Sequence, residues 1–436
     1  MKIHSPDEAA ACLRPRDEIA IPLGPGQPAD FLHALGARDD FEELVVFGAL
    51  LLDFYPLFTR PSVRLRSGFF GPIERALAAA GHAVEFVPAD FRRFAHIAHD
   101  LCPRVMATTA SPPDADGNLS LSLHAGATVE ELHRCGRDPE RLLVVEASSR
   151  LPRTLGLPPE HTHSLHVDEV DILIESDREP FALPAAKPSG VERAIAEYVG
   201  AYVHDGATLQ TGIGGIPNAV VGLLAERSGG DYGIHSEMFT DGLMQLHQAG
   251  KVSNRKGLHD GISICTFALG TPALYEWLDG QEAVRFLPVD RVNTPDLIAR
   301  NRQLVSINGA LSVDLAGQVV ADAIGGAQYS GIGGHEDFIS GAAFSAEGRS
   351  LVCLPSLARA GEQRLSRIVS SLPRGSLVTT PRHQVDVVVT EHGAAELAGR
   401  SDGERAEALI EIADPRVRDA LRRRVDTLPL LPADAA

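Results

Sequence analysis

The sequence predicts an α/β fold of two related domains, each built on a mostly parallel sheet, with the active site at the interface between them. Apolar runs of strand length alternate with helical patterns along the chain, which is typical of sheets covered by helices. The length of 436 residues exceeds what one hydrophobic core usually supports. A proline-rich stretch at 177–190 separates two halves with the same alternation, and two packed domains would place a site between them.

The first half, residues 1–180, is predicted to form the N-terminal domain. Its strands are short apolar runs bounded by turn residues, and its helices carry apolar residues at helical spacing. The predicted strands are 17–24, 43–52, 63–70, 83–89, 104–110, 119–123, 141–146 and 170–176, and the predicted helices are 28–38, 73–80, 91–101 and 128–135. Residues 181–190, with Pro184 and Pro188, are interpreted as the linker to the second domain.

The second half, residues 191–436, is predicted to form the C-terminal domain with the same organisation. The predicted strands are 208–211, 232–236, 262–269, 284–288, 304–307, 351–354 and 385–390, and the predicted helices are 191–203, 219–227, 242–248, 271–278, 295–300, 394–398 and 404–412. The arginine-rich run 416–424 is interpreted as a charged helix face. Residues 17–24 and 205–212 both precede a turn and a helix, which fits two related domains or a common strand–turn–helix unit.

Composition and charge narrow the class of protein. With 44% hydrophobic and 22% charged residues, the chain is typical of a soluble globular enzyme. The formal net charge of −18 disfavours nucleic acid and anionic membranes as partners. No apolar run is long enough to cross a bilayer, and the polar, acidic start disfavours a signal peptide. Five cysteines without a CxxC pair predict a reducing, cytoplasmic location with neither a disulfide framework nor a zinc site.

Two glycine-rich stretches are candidate binding loops. Residues 212–218 lie between a predicted strand and a predicted helix, where backbone N–H groups can hold an anion. Pro217 fills the third glycine position of the dinucleotide-binding fingerprint, which disfavours a dehydrogenase. Residues 324–338 are rich in glycine, which indicates close approach of the backbone to a ligand. The alternatives are a plain strand–helix turn for the first stretch and a flexible loop for the second.

Glu237 is the candidate nucleophile. It follows a mostly apolar predicted strand and lies, in sequence, between the two glycine-rich stretches. A carboxylate becomes an effective nucleophile when it is desolvated and directed at an activated carbonyl, whereas a surface glutamate would have no such role. A group of histidines is interpreted as a solvated loop rather than a metal site: His161, His163 and His166. No GxSxG motif of a serine hydrolase occurs.

The second half of the chain, from about residue 195 to residue 412, carries a dense set of motifs in a fixed order. They are Gln210 with 212–218, His235-Ser236-Glu237-Met238, 263–270 (SICTFALG), 288–293 (PVDRVN), 305–308 (VSIN), Asp314 with 317–319, 329–334 (YSGIGG), Asp337-Phe338 and 390–393 (TEHG). With these motifs the chain resembles the class I coenzyme A transferases, in the acetyl-CoA hydrolase/transferase family. That family includes 4-hydroxybutyrate and butyrate–acetate CoA-transferases. The first half is more weakly similar, at 111–114, 152–154 and 167–171.

The resemblance implies a CoA-transferase fold and a ping-pong reaction in which Glu237 becomes a glutamyl-CoA thioester. Acyl-CoA and a short-chain carboxylic acid are then substrates, and no permanently bound cofactor or metal is implied. It also implies a homodimer. The positions matching the family's CoA-binding region are Gly212, Gly214, Gly215, Ile216, Pro217, Asn308, Gly331, Gly333, Gly334, Arg359 and Lys256. Arg359 stands where relatives carry lysine near CoA.

Departures from the family pattern leave the substrate open. Ser340 stands where relatives often have arginine, and His335-Glu336 adds charge to the second glycine-rich stretch. Neither acyl donor nor acceptor acid follows from the sequence. An acyl-CoA hydrolase, in which water resolves the intermediate at Glu237, is the nearest alternative. A non-catalytic ligand-binding protein is disfavoured because Glu237 and both glycine-rich stretches are present.

Overall fold

The computed structural model describes residues 2–184, 187–360 and 363–425, and it confirms an α/β fold with mostly parallel sheets. Within these residues, one sheet has eight strands and a second has six. Every pairing in the first sheet is parallel. The second sheet is parallel except for its last pair of strands. Parallel pairing requires crossover connections, and helices supply several of them in both halves.

The first half builds the larger sheet. Its strands are β1 (Lys2–His4), β2 (Arg16–Leu23), β3 (Glu43–Ala49), β4 (Val63–Ser67), β5 (Val84–Phe86), β6 (Val105–Ala110), β7 (Asn118–Ser120), β8 (Leu142–Ser148), β9 (Ser164–His166) and β10 (Ile172–Ser176). Its helices are α1 (Pro6–Ala11), α2 (Ala29–Ala37), α3 (Pro72–Ala79), α4 (Phe94–Leu101) and α5 (Val129–Gly136). The strand order is β1-β10-β8-β6-β2-β3-β4-β5, and β7 pairs with β9 outside the sheet. Every residue of the interior strand β6 is buried, as expected for a parallel strand covered on both faces.

The second half builds the smaller sheet and several two- and three-stranded ribbons. Its strands are β11 (Thr208–Thr211), β12 (Gly233–Ile234), β13 (Met238–Phe239), β14 (Ser263–Cys265), β15 (Phe267–Ala268), β16 (Val284–Phe286), β17 (Leu304–Gly309), β18 (Ser312–Asp314), β19 (Val319–Val320), β20 (Ala323–Ile324), β21 (Ala327–Gln328), β22 (Arg349–Cys353), β23 (Leu357–Ala360), β24 (Gln363–Ser366), β25 (Ile368–Val369), β26 (Val387–Thr390) and β27 (Gly393–Glu396). Its helices are α6 (Gly190–Gly200), α7 (Gly215–Glu226), α8 (Asp241–Gln248), α9 (Pro272–Leu278), α10 (Val289–Val292), α11 (Pro295–Ile298), α12 (His335–Phe344), α13 (Asp402–Glu411) and α14 (Pro415–Val425). The sheet order is β12-β11-β17-β22-β26-β27.

The helix predicted at 394–398 is wrong, because this segment forms strand β27. The alanine-rich run favours a helix locally, but Gly393 adopts a φ of 149°, which side-chain-bearing residues avoid. The chain therefore turns back and pairs antiparallel with β26. The predicted strand 262–269 is divided into β14 and β15, which pair with different partners.

The first glycine-rich stretch runs into a helix earlier than predicted, and the second runs into a helix that the sequence analysis did not predict. Helix α7 begins at Gly215, so Ile216 and Pro217 lie in its first turn rather than in a loop. Proline is tolerated there because the first N–H groups of a helix have no intrahelical partner. The second stretch ends at Gly334, and helix α12 follows directly. Each glycine-rich stretch thus leads directly into the start of a helix.

The two halves share a hydrophobic core. One continuous cluster of buried side chains contains Phe91 and Phe94 from the first half and Leu209 and Phe267 from the second. The rings of Phe91 and Phe267 meet edge to face with centroids 6.3 Å apart. This packing fixes the surfaces that surround the candidate site.

The domain boundary remains a prediction. The last strand of the first sheet ends at Ser176 and the first strand of the second sheet begins at Thr208, which is compatible with a linker at 181–190. Ala185 and Ala186 of that linker lie outside the described residues. Among the described residues, no helix combines the length and apolar character that a membrane crossing requires.

Candidate active site

Glu237 lies where the chain leaves the carboxyl end of β12 and enters β13. Its backbone is held on both sides, because its carbonyl accepts hydrogen bonds from the N–H groups of Thr266 (2.9 Å) and Phe267 (3.2 Å). The preceding Ser236 donates its N–H to Ile264 at 3.0 Å. The carboxyl ends of parallel strands are where α/β folds place reactive groups, as the sequence predicted for this residue.

Ser236 joins the backbone beside Glu237 to the first glycine-rich stretch. Its hydroxyl donates to the carbonyl of Thr211 at 3.0 Å and accepts from the Thr211 N–H at 3.3 Å. Thr211 ends strand β11 immediately before Gly212. The Ser236 side chain therefore fixes the position of Glu237 relative to residues 212–215.

His235 is a buried structural histidine. Its Nε2 lies 2.7 Å from the carbonyl oxygen of Val292, and its Nδ1 lies 2.9 Å from Nδ2 of Asn301. Burial lowers the pKa of His235 to about 4, so the ring is neutral at physiological pH. Since an amide NH2 only donates, Nδ1 accepts and Nε2 carries the proton. His235 thereby anchors Val292, the residue that precedes Asn293.

Asn293 connects two carboxylates. Its Nδ2 donates to Oε2 of Glu237 at 2.7 Å and to Oδ2 of Asp337 at 3.0 Å. Asn293 and Asp337 are both fully buried, whereas Glu237 is partly buried. Glu237 therefore presents a carboxylate that is held by an amide donor and still reachable from outside.

The surroundings of Glu237 favour its neutral form. Burial raises the pKa of the Glu237 carboxyl to about 8, and the negative charge of Asp337 acts in the same direction. The hydrogen bonds from Asn293 and from the backbone of Gly334 oppose this shift. A strongly raised pKa of a carboxyl group is a recognised mark of a functional group.

Residues 331–334 cover Glu237. A side-chain carbon on Gly334 would overlap Oε2 of Glu237, and one on Gly331 would lie 2.5 Å from the ring of Phe69 in the first half. The carbonyl of Gly333 accepts a 3.0 Å hydrogen bond from the N–H of Phe91. The glycines are thus required by close backbone approach, and the first half of the chain helps to hold them over Glu237.

Arg92, also from the first half, reaches the same cluster. Its guanidinium pairs with Asp337, and its N–H donates to Oδ2 of Asp337 at 3.3 Å. Its NH2 lies 2.7 Å from Oδ2 of Asp90. The prediction of a site between the two halves is therefore supported by groups from both of them around Glu237.

The other predicted CoA-binding positions have different surroundings. Gly212 and Gly214 lead into α7, and Gly215 lies directly against the carboxylate of Glu192. Asn308 donates to Oγ of Ser306 at 2.7 Å within the strand network.

Arg359 is exposed on the ribbon of β23 and β24, directly opposite Arg364. This pair of neighbouring cations is the part of the predicted CoA-binding region that best fits a phosphate.

Lys256 corrects one expectation. It is fully buried, and its Nζ donates to the carbonyl oxygens of Leu258 and His259, the latter at 2.6 Å. Burial lowers its pKa to about 7. Lys256 is therefore a structural part of its own loop rather than an accessible cation, and it is not retained among the proposed CoA contacts.

The departures from the family pattern contact Thr380 and Gln384. Nε2 of His335 lies 2.9 Å from Oγ1 of Thr380, and the Glu336 carboxylate also accepts from that hydroxyl. Ser340 lies 3.4 Å from Nε2 of Gln384. These residues therefore join α12 to the segment near Thr380.

Sequence reasoning missed the roles of three residues in the cluster. Asn293 and Asp337 lie in motifs that were recognised, but no local pattern showed that they meet Glu237. No sequence pattern indicated that Arg92 contacts Asp337, because the two residues lie 245 positions apart in the chain. His163, predicted as solvated, is buried and bonded to the carbonyl of Ser122 at 2.9 Å. Among the described residues no group of three or more His, Cys, Asp or Glu side chains is arranged to hold a metal ion.

Comparisons with known proteins show the family to which the chain belongs. Residues 270–425 match the model of the acetyl-CoA hydrolase/transferase C-terminal domain. The chain is 38% identical to the succinyl-CoA:cyclohexane-1-carboxylate CoA transferase of Geobacter metallireducens, over 96% of this chain and 94% of that protein. It is 34% identical to the 4-hydroxybutyrate coenzyme A transferase of Clostridium kluyveri, over 96% of each. The crystal structure of RipA from Yersinia pestis is similar with a TM-score of 0.88 and 31% identity, covering 99% of this chain and 98% of that one. With such identity over nearly the whole length, the chain belongs to the acetyl-CoA hydrolase/transferase family.

Proposed function

We propose that the protein transfers CoA between an acyl-CoA and a small carboxylic acid, with Glu237 as the nucleophile. The observation that carries the proposal is the Glu237 carboxylate itself, partly buried, held by the amide of Asn293 and lying against the backbone of Gly334. The named relatives, CoA transferases for 4-hydroxybutyrate and for cyclohexane-1-carboxylate, support a small organic acid as acceptor. The homodimer implied by the resemblance and the cytoplasmic location indicated by the cysteines remain predictions.

The first half-reaction loads CoA onto the protein. A Glu237 oxygen attacks the thioester carbonyl carbon, the C–S bond breaks, and CoA leaves as a thiolate, so that Glu237 carries a mixed anhydride. The thiolate then attacks the side-chain carbonyl carbon of Glu237. The acyl group leaves as a carboxylate, and Glu237 is left as a thioester of CoA.

The second half-reaction runs these steps in reverse with another acid. Its carboxylate attacks the glutamyl thioester and releases CoA thiolate, and the thiolate then attacks the acyl carbonyl of the new anhydride. The new acyl-CoA departs and Glu237 returns as a carboxylate. No oxidant or reductant is consumed, because each step exchanges one leaving group for another.

Each step passes through a tetrahedral oxyanion that requires fixed hydrogen-bond donors. Backbone N–H groups of the glycines at 212–215 and 331–334 are the proposed donors. They lie at the starts of α7 and α12, where several N–H groups have no partner within the helix. Loss of one such donor typically costs about 2.7–4 kcal/mol of transition-state stabilisation.

Intact-mass spectrometry tests the covalent intermediate. The protein is incubated briefly with an acyl-CoA, and the expected product carries the mass of one CoA less one water, located at Glu237 by peptide mapping. Borohydride should convert that residue to the alcohol and release CoA. Steady release of free CoA without an added acid would indicate the hydrolase alternative. Absence of both an adduct and CoA release with a range of acyl-CoAs would contradict the proposal.

The pH dependence of the reaction should report the raised pKa of Glu237. Only the carboxylate attacks, so kcat/KM should fall about tenfold per pH unit below the pKa of about 8. The rate of CoA loading is measured across pH 5.5–9.5, a range of about four units spanning this value. An acid limb near the ordinary glutamate value of 4.5 would contradict the described surroundings of Glu237.

Arg359 should contribute to binding the phosphates of CoA. Its guanidinium lies opposite Arg364 on an exposed ribbon, and like charges directly opposite each other repel unless an anion joins them. Arg359→Ala is expected to raise KM for acetyl-CoA about fivefold, corresponding to about 1 kcal/mol for an exposed charge contact. KM for acetyl-pantetheine, which lacks the nucleotide phosphates, should not change.

A matched control for this substitution is Arg16→Ala. Arg16 is an exposed arginine of the first sheet that pairs with Glu42 at 2.8 Å, away from the glycine-rich stretches. An equal rise of KM for both thioesters in Arg359→Ala would show that the effect does not come from phosphate binding.

A further inference from the structure

A chain of polar contacts crosses from the first half of the molecule to Glu237. It runs from Asp90 to Arg92, from Arg92 to Asp337, from Asp337 to Asn293 and from Asn293 to Glu237. Asp90 and Arg92 belong to the first half, and the other three belong to the second. Asn293 and Asp337 are fully buried, so the central links of this chain are shielded from solvent.

Asp337 determines how the Asn293 amide is turned. Asp337 is paired with Arg92 and accepts, so the NH2 group of Asn293 faces it, and the same Nδ2 also donates to Oε2 of Glu237. The amide oxygen Oδ1 is buried without a hydrogen-bond partner among the described residues. An unsatisfied buried acceptor destabilises the fold. In this orientation of the amide, however, both N–H groups are directed at the carboxylates.

Arg92 determines how much negative charge Glu237 experiences. Asp337 is one buried anion next to Glu237, and its negative charge raises the pKa of Glu237. Burial raises the pKa of Asp337 to about 6, and the hydrogen bond from Asn293 together with the charge and backbone N–H of Arg92 opposes this rise. Two further charged groups lie near this cluster. Asp90 pairs with Arg92, and Glu336 accepts a hydrogen bond from the hydroxyl of Thr380.

We propose that Arg92 and Asp337 are positioning residues that together set the orientation and the protonation state of the Glu237 carboxylate. Because Arg92 comes from the opposite half, this setting depends on the contact of Arg92 with Asp337 across the two halves. The inference rests on the proposed role of Glu237 as nucleophile and extends it to residues that do not touch the substrate.

Substitutions of the two residues should shift the pKa of Glu237 in opposite directions. Arg92→Gln removes a positive charge and leaves Asp337 unpaired, so the pKa of Glu237 should rise. Asp337→Asn keeps an oxygen that accepts from Asn293 but removes a negative charge, so the pKa of Glu237 should fall. Neighbouring charges shift a carboxyl pKa by one to three units at close range, and across the intervening amide we expect about one unit each way.

The experiment measures the titration of Glu237 in two independent ways. Carbodiimide modifies protonated carboxyl groups, and peptide mass spectrometry follows the labelling of Glu237 against pH without requiring any activity. The rate of CoA loading against pH provides the second curve. Both are recorded for the wild type, Arg92→Gln, Asp337→Asn and the double variant, whose curves should return toward the wild type.

Two further variants separate positioning from general damage. Arg92→Lys retains the charge and should keep a near-wild-type midpoint. Glu336→Gln changes the residue next to Asp337, but its carboxylate contacts Thr380 rather than Asn293, so a smaller shift is expected. Thermal unfolding of every variant identifies substitutions that fail to fold.

Opposite shifts of the labelling midpoint, with recovery in the double variant, support the inference. Unchanged midpoints in both folded single variants, or shifts of the same sign, overturn it. Failure of the proposed function has a different signature: the wild type labels with a raised midpoint but forms no CoA adduct at any pH. In that case Glu237 is rejected as the nucleophile, and the proposed positioning role of Arg92 and Asp337 in catalysis is rejected with it.

Discussion

Glu237→Gln is expected to lower kcat for CoA transfer by about 10⁴-fold or more, with no covalent CoA adduct. The amide is nearly isosteric and its oxygen can still accept the hydrogen bond from Asn293, which lies 2.7 Å from Oε2 in the wild type. It is, however, a far weaker nucleophile than a carboxylate. Steady-state transfer assays and intact-mass spectrometry measure the loss.

The same substitution should stabilise the fold at alkaline pH. The folded protein holds the Glu237 proton up to about pH 8, whereas the unfolded chain releases it near 4.5. Between these values the folded state binds more protons, so the contribution of this carboxyl to stability is lost as pH rises. Glu237→Gln should therefore unfold at a higher temperature than the wild type at pH 9, and the difference should disappear near pH 4.

Glu146→Gln is the matched control for the nucleophile. Glu146 is also buried, with a pKa raised to about 7 by burial, but it lies on β8 and accepts a 3.1 Å hydrogen bond from the N–H of Phe31. Its amide variant should transfer CoA at nearly the wild-type rate. Retention of transfer and of the adduct in Glu237→Gln would reject Glu237 as the nucleophile.

Gly334→Ala is expected to lower kcat by about 10²-fold, through displacement of the carboxylate rather than loss of any reacting group. The new methyl carbon would overlap Oε2 of Glu237 and lie 2.5 Å from Nδ2 of Asn293. The backbone itself accepts alanine, since φ at Gly334 is −89°. The substitution therefore tests only the requirement for space beside Glu237. Transfer kinetics measure its effect on kcat, and thermal unfolding measures its effect on stability.

Gly403→Ala provides the comparison for this glycine. Gly403 lies in the first turn of α13, and a side-chain carbon there would meet no atom within 4 Å. Alanine should leave transfer unchanged and stabilise the fold by about 0.4–1 kcal/mol. If Gly334→Ala transferred CoA as fast as Gly403→Ala, the close packing of Gly334 on Glu237 would have no catalytic role.

The fold class and most elements could be predicted from local pattern. A run such as 104–110 is apolar along its whole length, and the structure places β6 there with every residue buried. The exception at 394–398 shows the limit, because helix propensity was overridden by pairing with β26. The early start of α7 was missed because Pro217 reads as a helix breaker, although a first turn accepts it.

The sequence by itself determined the α/β class, the family and Glu237 as the candidate nucleophile, because these follow from periodicity and from motifs in a fixed order. Only the tertiary structure decided what surrounds that carboxylate. Asn293 lies 56 residues from Glu237, and Arg92 lies 245 residues from Asp337, so their meeting depends on how the two halves pack. Lys256 is buried within its own loop, and it had no local sign of being inaccessible. A charge acquires its pKa and its role from neighbours in space, and those neighbours are set by the assembled fold.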